Sequence, residues 1–159
     1  MTKSKEQIKA KLNEVRAYFE RVLEAVGDRW ETQVYSDGLK WNVRQVLIHV
    51  ADADRGHNRQ AMGYAAGEKV IPDDFDVQRY NTRTTEKYGN KPAEQAWAEL
   101  RESRVALLAW LESVDEDKLD LEGRHASGPI MPVRNMLRLQ ALHEQAHAQD
   151  IAKALGIEV

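Results

Sequence analysis

Two histidines near the end of the chain, His143 and His147, have the spacing of a metal-binding pair. They lie four residues apart in a strong helical pattern, which stacks both imidazoles on one face, one turn apart. Two imidazoles in this arrangement can bind the same metal ion. A third ligand has to come from another helix, and His49, in the middle of an earlier helical segment, is the candidate.

The helical face that carries His143 and His147 is predicted to point into the protein interior. Within about a quarter turn of the two histidines, a helical projection places Met136, Leu139, Gln140, Asp150, Ile151 and Ala154. Gln140 and Asp150 are the polar exceptions, and Asp52 lies one turn from His49. We expect these three to be candidate hydrogen-bond partners of the imidazoles. Alternatively, the two aspartates pair with nearby arginines.

Other interpretations of the late histidine pair stay open at this point. Surface helices acquire such pairs by chance, and buried pairs can be satisfied by hydrogen bonds. The run from His143 through Glu144 to His147 also has the letters of the H-E-x-x-H zinc-protease motif. That motif needs a third ligand downstream, and only 12 residues follow His147. Three ligands from two helices would instead leave a coordination position open, as in catalytic metal sites.

Four amphipathic helices are predicted, and their ends carry clear signals. Capping-box pairs, Ser4 with Gln7 and Asn42 with Gln45, begin the first two. Pro92 and Pro132 suit the first turns of the other two, and Gly156 suits the end of the last. The predicted ranges are 4–26, 42–67, 92–114 and 132–155.

The connections between these helices indicate the topology. Residues 68–91 hold no persistent helical pattern apart from a short candidate helix at 76–87, and a connection this long usually crosses over the bundle. Residues 115–132 are predicted to be a charged loop. The sequence therefore predicts an all-α fold, a four-helix bundle with a long crossover between helices 2 and 3, in a single domain spanning 1–159.

Composition excludes several classes of function. The net charge is −3 and no basic block is present, so we expect no nucleic-acid partner. No apolar run has membrane-spanning length and the N-terminus lacks a signal region, so we expect a cytoplasmic protein that does not bind membranes. The chain has no cysteine, which excludes disulfides and any thiol nucleophile of its own. A homodimer is compatible with the pattern.

The remaining notable residues have more than one interpretation. His57 lies two turns from His49 but is rotated by about 80°, so it is interpreted as a rim histidine, and His125 has no assigned role. Gly56 costs about 1 kcal/mol against alanine within a helix, which indicates either a cavity or close packing against a bulky neighbour. Trp41, Trp97 and Trp110 are interpreted as packing residues.

Several of these segments resemble a known family. The stretch from Trp41 to Asp52, with His49 eight residues after the tryptophan, resembles the start of the second helix in the DinB-like superfamily. The pair His143 and His147 resembles that superfamily's fourth-helix pair, and Tyr80-Asn81 followed by the helix at 92–114 is similar to its middle. The resemblance implies a bundle in which His49, His143 and His147 hold one divalent ion, zinc or nickel.

The resemblance also implies a choice of activities. Some relatives are S-transferases that use bacillithiol or related low-molecular-weight thiols, and others are mycothiol-dependent maleylpyruvate isomerases. In the isomerases the first ligand of the fourth helix is a glutamate, whereas here it is His143, so the three-histidine branch fits better. We therefore expect a metal-dependent enzyme that transfers a thiol to a small electrophile or hydrolyses a small substrate. The alternatives are a non-catalytic metal- or ligand-binding stress-response protein and a bare bundle with buried histidines.

Overall fold

The computed structural model describes residues 4–159, which form five α-helices and one short β-hairpin. The helices are α1 (Lys5–Glu24), α2 (Val43–Ala65), α3 (Val77–Tyr88), α4 (Ala93–Ser113) and α5 (Val133–Leu155). The hairpin pairs β1 (Glu122–Arg124) with β2 (Ile130–Pro132) in antiparallel fashion, after a 3₁₀ helix at Glu116–Asp120.

The predicted four-helix bundle is confirmed. It consists of α1, α2, α4 and α5, in which α2 packs against both α4 and α5 while α1 packs against α5. The crossover between α2 and α4 contains α3, close to the candidate range 76–87, and α3 rests on α2. None of the helices in residues 4–159 combines the length and the apolar character needed to cross a membrane.

The predicted helix ends hold to within two residues, because their capping signals are real. Both capping boxes form, with the Ser4 side chain accepting from the Gln7 amide and the Asn42 side chain from the Gln45 amide. Gly156 ends α5 in a left-handed conformation at φ 66°. α1 and α2 each stop two residues early, since the chain has to turn before it reaches the left-handed Gly27 and Gly67.

The prediction of a plain loop at 115–132 was wrong, because that segment contains the hairpin. Its strands are three residues each, too short for an alternating pattern to show. Gly123 packs directly on the ring of Tyr64 in α2, where any Cβ would overlap the aromatic carbons. The Tyr64 hydroxyl donates to the Arg124 carbonyl and accepts from the Ile71 amide. One tyrosine thus ties the hairpin and the start of the crossover to α2.

The apolar core lies in two clusters along the bundle. One surrounds Phe19, Leu47 and Leu100, and the other surrounds Leu12, Leu107 and Leu137, all of them fully buried. The three tryptophans pack as predicted: Trp41 is buried within the first cluster, Trp97 packs against it, and Trp110 packs against the second. Burial of this apolar surface holds the histidine-bearing helices α2 and α5 side by side.

Candidate metal centre

The three predicted histidines converge between α2 and α5. One ring nitrogen from each of His49, His143 and His147 lies within 4.8 Å of the others, and the two Nε2 atoms of His49 and His143 are 3.1 Å apart. The ring centroids are separated by 4.6–5.0 Å, and the rings meet edge to face. Spacing along α5 brings His143 and His147 together, while packing of α2 on α5 brings in His49.

The donor set suits a divalent cation. Burial, followed by the neighbouring histidines, lowers the pKa of His49 to about 3 and that of His143 to about 2, and burial also lowers the pKa of His147. All three rings are therefore neutral near pH 7, which is the form that binds metals. Three nitrogens at about 2.0–2.1 Å from a tetrahedral ion lie about 3.3 Å apart, close to the observed Nε2 separation. Without an ion, two facing Nε2 atoms can share only one hydrogen.

A tyrosine and an aspartate orient His147. The Tyr35 hydroxyl lies 2.7 Å from Nδ1 of His147 and donates to the Asp150 carboxylate at 2.6 Å. Burial and the hydrogen bond to Asp150 raise the pKa of Tyr35, so the hydroxyl keeps its proton. Since that proton goes to Asp150, Nδ1 of His147 has to donate to the tyrosine oxygen. The remaining nitrogen, Nε2, is therefore free of hydrogen and able to bind a cation.

Trp41 fixes the orientation of His49. Its indole ring stacks on the imidazole with centroids 4.4 Å apart and planes 29° apart. The indole N–H donates to the Thr85 hydroxyl of α3 at 3.0 Å. Through this contact the crossover helix α3 supports the ring that covers His49. Trp41 therefore belongs to the apolar core and also holds the ring of a histidine in the candidate site.

None of the three side chains predicted to bond to the histidines, Asp150, Asp52 and Gln140, is shown to bond directly to one of them. Asp150 reaches His147 through Tyr35, which lies between the first two predicted helices. Asp52 accepts from the Tyr80 hydroxyl at 2.8 Å and pairs with Arg55, so the arginine alternative describes its position better. Gln140 donates to Asp54 and to Asn58 in the bundle interior.

Glu144 belongs to a buried network of four charges, one from each bundle helix. Its Oε1 accepts from Arg16 of α1 at 2.7 Å, while Arg104 of α4 donates to Asp54 of α2 at 3.2 Å. The two pairs also approach each other, with Arg16 3.7 Å from Asp54 and Arg104 3.6 Å from Glu144. Glu144 therefore points away from the three histidines and cannot serve as the general base of an H-E-x-x-H protease.

A cavity of about 480 Å³ opens beside the three histidines and is bordered by His49 and His143. Its volume suits a small molecule. Gly56 lines it, and a Cβ at this position would meet no atom within 4 Å, which agrees with the cavity interpretation of this glycine. The crossover segment before α3 forms an apolar wall that includes Val70, Ile71 and Phe75.

His57 and His125 lie in the wall of the same cavity. The helical projection turns His57 away from His49, but its ring reaches α5 and lies 5.5 Å from that of His143. On its other side it stacks on His125, with centroids 5.4 Å apart and planes 22° apart. Burial, followed by the adjacent His125, lowers the pKa of His57 to about 4, and burial lowers the pKa of His125. No sequence pattern places His125, because the hairpin brings it there.

The profile of the DinB superfamily matches residues 11–151 of the chain. The chain belongs to the DinB superfamily. This range contains all three converging histidines and the whole four-helix bundle apart from the first turns of α1 and the end of α5. No curated protein sequence matches the chain.

Three solved structures with the same fold are distant from this chain in sequence. YfiT from Bacillus subtilis, described as a probable metal-dependent hydrolase with an unusual four-helix bundle topology, is 21% identical with a TM-score of 0.74, covering 97% of this chain and 89% of YfiT. A mycothiol-dependent maleylpyruvate isomerase is 17% identical with a TM-score of 0.77, covering 94% of this chain and 61% of the isomerase. Colibactin self-resistance protein ClbS, solved with double-stranded DNA, is 16% identical with a TM-score of 0.72, covering 98% of each chain.

Proposed function

We propose that His49, His143 and His147 hold one divalent cation, zinc or nickel, and that the protein catalyses attack of a thiol or of water on a small electrophilic molecule. The observation that carries the proposal is the convergence of three neutral imidazoles at the edge of a 480 Å³ cavity. A divalent cation with an open position lowers the pKa of a bound thiol or water, which supplies a nucleophile near neutral pH.

The chain's own residues would prepare this site in three ways. Tyr35 and Asp150 keep the proton of His147 on Nδ1, which leaves Nε2 available. Trp41 holds the ring of His49 by stacking. The cavity receives the electrophile next to His49 and His143, where its apolar wall excludes bulk water from the reacting groups.

Any sulfur nucleophile has to come from outside the protein, since the chain has no cysteine. A low-molecular-weight thiol is the source we propose, in keeping with the mycothiol dependence of one structural neighbour. Hydrolysis is the other possibility, in keeping with the description of YfiT. Both chemistries use the same three histidines, and a cytoplasmic location would supply either nucleophile.

The test begins with metal content. We expect the purified protein to contain or take up one zinc or nickel ion per chain and the His147→Ala variant to lose it, as measured by elemental analysis. A His125→Asn variant is the matched control, because this histidine lies outside the three-histidine group. A wild-type chain that takes up no divalent metal after incubation and dialysis would refute the metal proposal and favour a bundle with buried histidines.

Turnover is measured next, with the metal-loaded protein. Cysteine, glutathione and coenzyme A are each incubated with a halogenated nitroaromatic, and ester hydrolysis is followed in parallel. We expect metal-dependent consumption of at least one electrophile, lost in the His147→Ala variant. Stoichiometric metal with no turnover in any of these reactions would make the protein a metal-binding module instead of an enzyme.

A further inference from the structure

The lining of the cavity beside the three histidines is rich in planar rings. Within the described range 4–159, six of the lining side chains carry one: His49, His57, Phe75, Tyr80, His125 and His143. The charged side chains of the lining are Asp52 and Arg59, and Asp52 is already paired with Arg55. The lining therefore consists mostly of rings, aliphatic groups and neutral polar groups, which suits a ligand with an apolar body.

Phe75 and Tyr80 form an aromatic pair at the start of α3. The Asp76 side chain caps this helix by accepting from the Arg79 amide at 3.1 Å, so Phe75 precedes the cap and Tyr80 is the fourth helical residue. Apolar residues at these two positions often pack together as a hydrophobic staple. Here the ring centroids are 5.7 Å apart and the planes 47° apart. The local sequence therefore accounts for the formation of the pair.

The staple leaves both residues of the pair partly accessible. In the stretch 66–88, which contains the whole of α3, no residue is buried, and Tyr80 is 42% exposed. Each helix of the bundle, by contrast, buries several side chains. Removing apolar surface from water is favourable, so a ligand seated on this wall would gain free energy by covering what the crossover leaves open.

The position of the aromatic pair is fixed from both ends. The Tyr80 hydroxyl donates to Asp52 of α2 at 2.8 Å, and Asp52 also accepts from Arg55 at 3.3 Å. On the other side, the Phe75 amide donates to the Pro72 carbonyl at 3.2 Å, which closes the turn before α3. Because the two rings are held in place before a ligand arrives, binding costs little additional ordering of the wall.

We propose that the electrophile is an aromatic compound whose ring packs against Phe75 and Tyr80. Aromatic side chains attract other aromatic rings in tilted or offset contacts, beyond what apolar burial alone supplies. A volume of about 480 Å³ suits one small molecule of this kind. The inference deepens the proposed function and rests on it in one respect: His49 and His143 border the same cavity, so the bound compound lies beside the proposed metal ligands.

A second copy of this chain is the competing occupant of the wall, since Val77 and Tyr80 are exposed. The shape of the cavity favours a small molecule instead. On the α2 side the cavity is bordered by Gly56, where a Cβ would meet no atom within 4 Å. A flat protein surface would leave this space empty, whereas a small ring can enter it.

The experiment uses calorimetry to measure binding of nitrobenzene and of its saturated counterpart, nitrocyclohexane, to the full chain. Both chelator-treated and zinc-supplemented protein are used. The two probes carry the same polar group, so the difference between their affinities reports the flat ring. We expect nitrobenzene to bind about fivefold more tightly in both forms. Phe75→Leu keeps an apolar residue for the staple but removes the ring, so we expect it to weaken nitrobenzene about threefold and to leave nitrocyclohexane unchanged.

Two further variants show where the probes bind. Tyr88→Leu is the matched control for Phe75→Leu, because Tyr88 is an α3 aromatic that is 40% exposed and lies outside the cavity lining. It should change neither affinity. Gly56→Leu fills the cavity from α2, and we expect it to weaken both probes by about tenfold or more. Circular dichroism and urea denaturation show that each variant is folded.

Equal affinities for the two probes, or a nitrobenzene affinity unchanged by Phe75→Leu, would overturn the proposal. Binding that persists in folded Gly56→Leu would place the site elsewhere and would also overturn it, as would a wild-type dimer that dissociates in Phe75→Leu during ultracentrifugation. The expected aromatic preference in a chain that takes up no metal would support this inference and refute the metal proposal. Zinc binding and turnover without that preference would refute this inference alone.

Discussion

His143 and Glu144 are neighbours on α5, yet they belong to two buried polar regions of opposite character. Glu144 lies in the four-charge network, where Arg16 and Arg104 face Asp54 and Glu144 so that the buried charge sums to zero. His143 lies in the three-histidine cluster, where neutral nitrogens face one another and, among residues 4–159, no charged side chain is shown to bond directly to them. A rotation of about 100° along one helix separates the two regions.

The difference shows how one pair of helices supports both stability and a site. α2 contributes Asp54 to the charged network and His49 to the histidines, and α5 contributes Glu144 and His143 in the same way. In the network each charge has a partner supplied by the chain, which specifies how the four helices assemble. In the histidine cluster the chain supplies ligands and leaves their partner to be bound from outside.

Of the variants that test this difference between the two regions, Glu144→Gln is expected to change the free energy of unfolding most. The substitution leaves Arg16 buried without its carboxylate partner at 2.7 Å. Removing one member of a buried ion pair costs about 3–5 kcal/mol. We therefore expect a loss of that size in the free energy of unfolding, measured by urea denaturation of the metal-free protein.

His143→Gln, one residue away, is the matched control for that variant. It removes a neutral ring that has no charged partner, so we expect the metal-free stability to change by about 1 kcal/mol or less, within the usual range for a tolerated substitution. Zinc binding should show the reverse order, lost in His143→Gln and retained in folded Glu144→Gln. Equal destabilisation by both variants would mean that the two regions are energetically alike.

A smaller effect is expected at Tyr35, whose hydroxyl joins His147 to Asp150. Removing a group that orients a metal ligand typically costs about 10–100-fold in metal affinity. We expect Tyr35→Phe to lower zinc affinity by this factor, measured by competition with a chelating dye. Tyr80→Phe removes a hydroxyl that bonds to Asp52, away from the three histidines, and should leave zinc affinity unchanged. An unchanged affinity in Tyr35→Phe would show that the hydroxyl does not position His147.

The two regions should also differ in how the free energy of unfolding depends on pH, although the expected change is smaller than that for Glu144→Gln. Unfolded histidines take up protons below about pH 6.5, whereas the folded pKa values are about 3 for His49 and about 2 for His143. The unfolded state therefore binds more protons in this window, and stability falls as the pH drops from about 6.5 toward 3. Between pH 6.5 and 5 we expect a loss of about 1–2 kcal/mol per histidine in the metal-free chain.

Asp54, in the charged network, should respond only at lower pH. Burial opposes ionisation of Asp54, but Arg104, Ser103 and Arg16 outweigh it and lower its pKa, so its contribution is lost only below about pH 4. His143→Gln should therefore reduce the slope of the stability profile between pH 6.5 and 5 by the contribution of one histidine and leave the decline below pH 4 intact. The same slope in wild type and variant over the upper window would contradict the assignment.

Sequence reasoning predicted the bundle well, because its helix ends carry chemical signals that act locally. Asn42 with Gln45 and the left-handed Gly156 mark boundaries that the structure keeps. The hairpin was missed because it depends on Gly123 fitting against Tyr64, a contact between residues 59 positions apart. Arg104 occupies a buried position of α4, where its charge is balanced by Asp54.

In the candidate site, too, the residues placed by spacing along a helix were predicted, and those placed by contacts between distant segments were not. His49, His143 and His147 were found from helical periodicity, because spacing along a helix determines which face a residue occupies. Tyr35, His57 and His125 were missed as partners, since a loop, a ring reaching across helices and a hairpin turn bring them in. Gln140 was predicted beside the histidines but bonds to Asp54, because α2 lies near enough to capture its amide.

The most direct test of the central claim is a crystal structure of the zinc-loaded protein with anomalous data collected on both sides of the zinc absorption edge. The account predicts one anomalous peak between α2 and α5, about 2.0–2.1 Å from a nitrogen of each of His49, His143 and His147, facing the cavity. An anomalous map without a peak there, or with zinc bound only by other residues, would contradict it.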